Sequence, residues 1–327
     1  MTHSIRLGIG IVTYNRRDVL HQTLRRVRSM TMHGPAELVV ADDGSTDGTV
    51  EMLRATGVPF VTGVNMGVAW NKNRALYLLN ARLRCDVVIL LEDDTRPAQC
   101  GWERDWIDAA LRFGHVNYAG PWFSDRFLGG AGTPADPIQC RLITAQCLAV
   151  TSGAIERAGY FDSLFRGFGH EHVEFSRRLI RVGFGGTDKD NVVIYHLIHG
   201  GVSRVLAPSF GDPAQIEHNL KIARELMVDQ SYRMPWRNDE EMTQFLGEID
   251  AAVARHPEGF TLASDRALTV HADFRWAADA PGEKYLHERP VTLGPGDGGV
   301  YCGGGAGSGQ IPGYPAGDAV RAATRDQ

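Results

Sequence analysis

The sequence predicts an α/β protein built on a mostly parallel central sheet flanked by helices, the Rossmann-like kind of architecture. Three observations carry this. Strand-like apolar runs alternate with stretches of helical spacing over the first hundred residues, and each run ends in a polar cluster. The segment VVILLEDDTRP, residues 87–97, then drives five apolar residues straight into Glu92, Asp93 and Asp94. A β-branched-rich run of that length reads as a strand buried on both faces, so its carboxylates fall at the C-terminal end, where open α/β sheets bind ligands. Acids packed side by side repel, and a divalent cation relieves the repulsion; hard oxygen donors suit Mg2+ or Mn2+. A solvated acidic turn is the competing reading.

The elements follow in order. Residues 5–12 form a strand ending in Thr13, Tyr14 and Asn15, and Arg17 to Met30 has the spacing of an amphipathic helix. Glu37 to Ala41 is a second strand stopping at Asp42, Asp43, Gly44 and Ser45, with a helix from Thr46 to Ala55. Phe60 and Val61 give a third strand before Asn65 and Gly67, and a helix over 69–84 leads into the acidic strand. Such alternation implies right-handed crossovers between parallel strands. Beyond Pro97, a helix is expected over 102–113, a long Gly/Pro/aromatic loop over 120–137 and a strand over 142–151. Helices over 153–158 and 172–182 and a strand over 192–197 complete a second half sharing the sheet. Helices over 215–226 and 239–255 form a C-terminal helical segment. From about Pro281 the chain is dominated by Gly, Pro and Ala and is read as a tail or lid, because such a composition buries too little side chain to offset ordering. The expected divisions are 1–100, 101–210, 211–280 and 281–327.

At 327 residues, with 43% hydrophobic and 22% charged residues, the chain has ample material for a core. A net charge of -5 argues against nucleic acid as partner, since no basic excess exists to neutralise phosphates. Clusters such as Arg16 with Arg17 leave room for a small anionic ligand. The N-terminal apolar run is short and glycine-broken, unlike a leader peptide, and no stretch approaches membrane-span length, so a cytoplasmic protein with no transmembrane segment is expected. The five cysteines show no CxxC pairing and are read as reduced thiols.

Four stretches, IVTYNRRDVL, VVADDGSTDGT, NMGVAWNKNRAL and LLEDDTRP, resemble in order and spacing the nucleotide-sugar glycosyltransferases of GT-A fold, particularly glycosyltransferase family 2. The resemblance covers about the first 200 residues. Further on, GFGHEHVEFSRRLIRVG, residues 167–183, is similar to the family's second signature, with Glu171 and Glu174 fitting the pattern. His172 stands where the family's aspartate is usual, the residue expected to act as general base in inverting members; related retaining enzymes carry an asparagine.

The resemblance implies metal-dependent transfer of a sugar from a nucleoside-diphosphate donor, with a UDP-sugar favoured and inversion favoured. It implies that Thr13, Tyr14 and Asn15, with Arg17 and Asp43, hold the base and ribose; a turn and helix cap is the other role for Asp42 and Asp43, and the two can coexist. Asn65, Lys72 and Asn73 match a motif in which Asn71 and Lys72 replace the usual Ala and Arg, so the diphosphate would meet a point charge rather than a fork. Asp94, with Glu92 or Asp93, would bind Mn2+ or Mg2+, a Lewis acid for the departing diphosphate. His196 or His199 would complete the metal site, His196 being preferred. His172 could accept a proton at neutral pH with Glu171 orienting it; the rival readings make Glu171 the base or His172 a donor-sugar contact.

The acceptor is expected to be a soluble glycan, peptide or small molecule, with Trp122, Phe123 and Phe127 offering aromatic planes for stacking. Two other functions bear weighing. A sugar-nucleotide nucleotidyltransferase should show a Gly-rich basic loop after the first strand, where this chain has TYNRR. A nucleotide-sugar-binding protein without transferase activity is favoured only by the histidine at position 172.

Overall fold

The computed structural model describes residues 4–144, 146–189, 192–206 and 212–262. The chain divides into a unit of residues 1–292, which holds every described element, and a unit of residues 293–327 outside them. The Gly/Pro-rich tail over 281–327 therefore lies outside the described residues.

Strand β1 (Leu7–Thr13) is followed by helix α1 (Arg17–Met30), β2 (Ala36–Asp42), α2 (Thr49–Ala55), β3 (Phe60–Thr62) and α3 (Val68–Tyr77), which runs on into a π turn at Leu78–Arg82. Next come β4 (Val87–Glu92), β5 (Thr95–Pro97), α4 (Glu103–Phe113), β6 (His115–Tyr118), a 3-10 turn at Pro121–Arg126, β7 (Phe127–Gly129) and β8 (Ile138–Cys140). The remainder is β9 (Cys147–Thr151), α5 (Ser152–Ala158), α6 (Glu171–Arg181), β10 (Gly186–Lys189), β11 (Val192–Ile198), β12 (Val202–Arg204), α7 (Pro213–Glu225) and α8 (Asp239–Arg255). Periodicity located the long elements well. It missed the three- and four-residue strands β5, β6, β7, β8, β10 and β12, which are too short to show a period, and it read β9 five residues too long at its start.

The main sheet runs β3-β2-β1-β4-β9-β6-β11-β8-β7, with β10 beside β11; β12 and β5 form a separate two-stranded ribbon. Strands β3, β2, β1 and β4 are mutually parallel, which brings the C-terminal ends of β1, β2 and β4 to one edge. Strand β9 is antiparallel to both β4 and β6, so the second half of the sheet is mixed.

Both faces are covered. Leu7, Ile9 and Ile11 of β1 pack with Leu20, Leu24 and Val27 of α1 and with Trp102 and Trp106 around α4. On the other face Trp70, Leu76, Phe161, Phe175 and Phe245 form a core under α3, α6 and α8. Gly10 lets α3 lie close on that face, since a Cβ there would come within 2.9 Å of the Ala75 Cβ. The C-terminal helix is part of this core: Phe245, Ile249 and Ala252 are fully buried, and His256 Nε2 receives the Phe60 backbone N–H at 3.0 Å.

Cys85, Cys140 and Cys147 are free and buried, as the reading of reduced thiols expects. Cys100 is disulfide-bonded and departs from it; Cys100 sits half-exposed in the turn before α4, where a thiol can be reached, rather than in the core with the others. Among the described residues no helix is long and apolar enough to cross a membrane.

Candidate active site at the carboxyl edge of the sheet

The parallel order carries Thr13, Asp42, Asp43, Glu92, Asp93 and Asp94 to one edge, because β1, β2 and β4 end in register there. Asp93 and Asp94 are buried, and each is held by a cation. Arg16, between β1 and α1, lies 3.1 Å from Asp93 Oδ1 and 3.4 Å from Asp94 Oδ2 through Nη1. Arg204, at the end of β12, places Nε and Nη2 each 3.2 Å from Asp94 Oδ2. Thr13 Oγ1 donates to Asp93 Oδ2 at 2.8 Å. Burial, which outweighs the Arg16 charge and the Thr13 hydrogen bond, together with the neighbouring Asp94 raises the Asp93 carboxyl to about 7.

Behind this pair stands a second chain of charges. Lys72 Nζ is 3.5 Å from Glu92 Oε1 and 3.5 Å from Glu171 Oε1, and Lys72 and Glu171 are nearly inaccessible. Glu171 Oε2 accepts the Gly169 backbone N–H at 3.1 Å, and Glu171 Oε1 faces His172 Nδ1 at 3.3 Å. Burial opposes ionisation of Glu171, but the adjacent His172 and Lys72 more than offset it and hold the carboxyl well below its usual range. The His172 side chain remains 16% exposed, whereas that of Glu171 is 3% exposed.

The remaining expected residues divide into framework and mouth. Asp43 Oδ1 accepts Met66 N–H at 3.0 Å and Arg74 Nη1 at 2.8 Å, and Oδ2 accepts Gly67 N–H at 2.9 Å, so its carboxylate is committed to the loop before α3. Gly67 is required there: its φ is +92° and a Cβ would meet Gly167 N at 2.3 Å. Asn73 clips the backbone of Phe161 through N–H and C=O, at 2.9 and 2.8 Å. Glu174 pairs with the buried Arg178 at 2.7 Å. Tyr14, Asn15, Arg17 and Asn65 are exposed at the mouth; Asn15 adopts φ +50° and its Oδ1 accepts Thr46 N–H at 2.7 Å, while the Arg17 backbone N–H donates to Asp47 at 2.9 Å.

His196 is not brought to the carboxylates. Register aligns Leu197 with Asn117, Leu148 and Leu90 in turn, so His196 lies level with Ile89 and three strands away from β4, roughly 14 Å across the sheet. It packs edge-on against Phe113 with centroids 4.8 Å apart. There it lines a cavity of about 320 Å3 with Gly114, Thr151 and Phe184, away from the acidic edge. His199 is exposed, its ring lying against Gly132. Glu92 points to Lys72, on the other side of the strand end from Asp93. Sequence spacing placed these residues together because it does not give strand order.

Three arginines that the sequence reading passed over are central. Arg74 is fully buried and links Asp43, the Val64 carbonyl and Glu248 of α8, the last at 2.9 and 3.1 Å. Arg16 was visible only as part of a basic pair, and Arg204 had no local signal.

A divalent cation is the group that the resemblance implies here. Among the described residues no three His, Cys, Asp or Glu side chains gather around one point. Yet Asp94 Oδ1 is buried without a hydrogen-bond partner, an orphaned anionic oxygen of the kind a hard cation satisfies. One or two carboxylates plus substrate phosphate oxygens are a sufficient donor set for Mg2+, so Asp94 and Asp93 fit the role.

Comparison with known proteins bears on this edge directly. Residues 9–115 match the family model "Glycosyl transferase family 2". The hyaluronan synthase of Pasteurella multocida is 22% identical over 238 residues, which cover 58% of this chain and 24% of that protein, so the chain spans about a quarter of its relative's length. Among solved structures, the mannosyltransferase PcManGT from Pyrobaculum calidifontis, in complex with GDP-Man and Mn2+, aligns over 79% of this chain and 76% of its own at 16% identity and a TM-score of 0.44. GalNAc-T7 with UDP, GalNAc and Mn2+ aligns over 75% of this chain and 55% of its own at 13% identity and a TM-score of 0.49. The matched residues 9–115 begin inside β1, run through α4 and contain the acidic edge, so they resemble the glycosyl transferase family 2 model over the parallel half of an α/β sheet.

Proposed function

We propose that this chain is a glycosyltransferase that moves a sugar from a nucleoside-diphosphate sugar, a UDP-sugar in the first instance, to a hydroxyl of a glycan, peptide or small-molecule acceptor, with inversion. The observation that carries it is the convergence at one sheet edge of a buried carboxylate pair, Asp93 and Asp94, with the Lys72–Glu171–His172 chain. The first supplies a station for the diphosphate and the second a proton acceptor.

Glu171, held as a carboxylate, orients the His172 ring with its proton on Nδ1 and leaves the Nε2 lone pair for an acceptor hydroxyl. A carboxylate with so depressed a pKa is a poor base, which favours His172 over Glu171 in that role. As Nε2 takes the proton, the acceptor oxygen bonds to the anomeric carbon and the bond from that carbon to the diphosphate oxygen breaks. Mn2+ or Mg2+, held by Asp93 and Asp94, would supply Lewis-acid stabilisation of the leaving diphosphate. In this reading the exposed Tyr14, Asn15, Arg17 and Asn65 meet the nucleoside, while Thr13, Asp43 and Asn73 set the backbone that frames it. Trp122, partly exposed and under the Arg204 guanidinium at 5.6 Å, offers a plane on which an acceptor ring can stack.

The test is release of nucleoside diphosphate from a panel of nucleotide sugars with Mn2+, in wild type and His172→Ala. Release with at least one donor, lost by about 100-fold in the variant, is expected. No binding and no hydrolysis with any donor would leave a protein that is not this enzyme, and wild-type turnover in His172→Ala would move the base elsewhere.

A further inference from the structure

The acidic station already holds two guanidiniums before any ligand arrives. The guanidiniums of Arg16 and Arg204 sit on Asp93 and Asp94, in the place where a cation would be needed. Two carboxylates that are 3% and 0% exposed require such compensation, since an unpaired buried charge costs several kcal/mol. The compensation is lopsided: Asp94 Oδ2 takes Arg16 and both contacts of Arg204, while Asp94 Oδ1 takes no hydrogen bond. Both arginines lie outside the main sheet, Arg16 on the connection into α1 and Arg204 at the last position of the β12–β5 ribbon. The Arg16 side chain is 31% exposed.

Adding a divalent cation alone would leave uncompensated positive charge beside two guanidiniums. Adding the cation together with a diphosphate would not, because the phosphates bring compensating negative charge and are natural partners for guanidinium forks.

We propose that Arg16 and Arg204 are exchangeable counter-cations: they hold Asp93 and Asp94 in the donor-free protein, oppose binding of a divalent cation by itself, and transfer to the donor's phosphate oxygens when cation and nucleotide bind together. The consequence is obligate coupling of the two ligands, which keeps the carboxylates from retaining a cation without a donor. This rests on the reading of the acidic edge as a diphosphate station.

The experiment measures Mn2+ binding by electron paramagnetic resonance of the free ion, and UDP and GDP binding by calorimetry, on the full chain. Wild type, Arg204→Gln, Arg16→Gln and Arg204→Lys are compared. Without nucleotide, the Gln variants are expected to bind Mn2+ about tenfold more tightly than wild type, because a like charge has been removed from the site, whereas Arg204→Lys stays near wild type. With Mn2+ present, the Gln variants are expected to bind the nucleoside diphosphate about tenfold more weakly. Unchanged or weaker Mn2+ binding in both Gln variants, with melting temperatures near wild type, overturns the exchange and leaves the diphosphate station standing. Failure of every protein to bind Mn2+ and nucleotide in any combination overturns both.

Discussion

Lys72 Nζ lies 3.5 Å from Glu171 Oε1, 99 residues away in the chain, and at the same distance from Glu92 Oε1, so one buried ammonium ties the end of β4 to the start of α6. Removing it leaves two carboxylates facing each other with little water. Lys72→Met should destabilise the protein by about 3–5 kcal/mol, the range for breaking a buried ion pair on one side. Adding Glu171→Gln should restore part of that loss. Urea denaturation of the single and double variants checks it, and additive losses would refute the coupling.

Arg74 joins Asp43 to Glu248, and through them the loop before α3 to helix α8. Arg74→Lys keeps the charge but not the fork, so it should cost about 2–3 kcal/mol of stability. Glu248→Gln should cost less, because only its charge is lost. Melting curves would show the order, and the same stability in Arg74→Lys as in wild type would be the contrary result.

His115 is fully buried between the Ala149 carbonyl, at 3.0 Å, and Ser176 Oγ, at 2.9 Å. Burial lowers its pKa to about 4. In the unfolded chain a histidine protonates near 6.5, so between roughly pH 6.5 and 4 the unfolded state binds the extra proton and the folded state loses stability. The loss approaches about 3 kcal/mol at pH 4 and is absent above pH 7. His115→Leu should remove this component of the pH slope even if the variant is less stable throughout; urea denaturation from pH 4 to 8 in both proteins measures it, and parallel slopes would contradict it.

Trp122 lies under the Arg204 guanidinium beside the acidic edge and is 39% exposed. On the proposed reaction, Trp122→Ala should raise the acceptor KM by about tenfold, the loss of a stacking contact of 1–2 kcal/mol, with kcat changed less than threefold. Steady-state kinetics with acceptor varied at saturating donor would show the split. A fall confined to kcat would place the acceptor elsewhere.

Much of this protein was legible in its residues. Strands β1 to β4 and helices α1, α3, α6 and α8 were fixed by local patterns: apolar runs that only a sheet buried on both faces can hide, and helical spacing such as that of Leu20, Leu24 and Val27. The acidic edge followed too, because strand direction alone sends Asp93 and Asp94 to the ends of parallel strands. Tertiary structure decided what those residues touch. Only the insertion of β9 and β6 between β4 and β11 moves His196 off the acidic carboxylates, only the return of β12 brings Arg204 to Asp94 across 110 residues, and only α3 beside α6 puts Lys72 on Glu171. The physical reason is one of range: hydrophobic periodicity is a property of neighbours along the chain, whereas the pairing of buried charges is settled by which distant elements the core packs together.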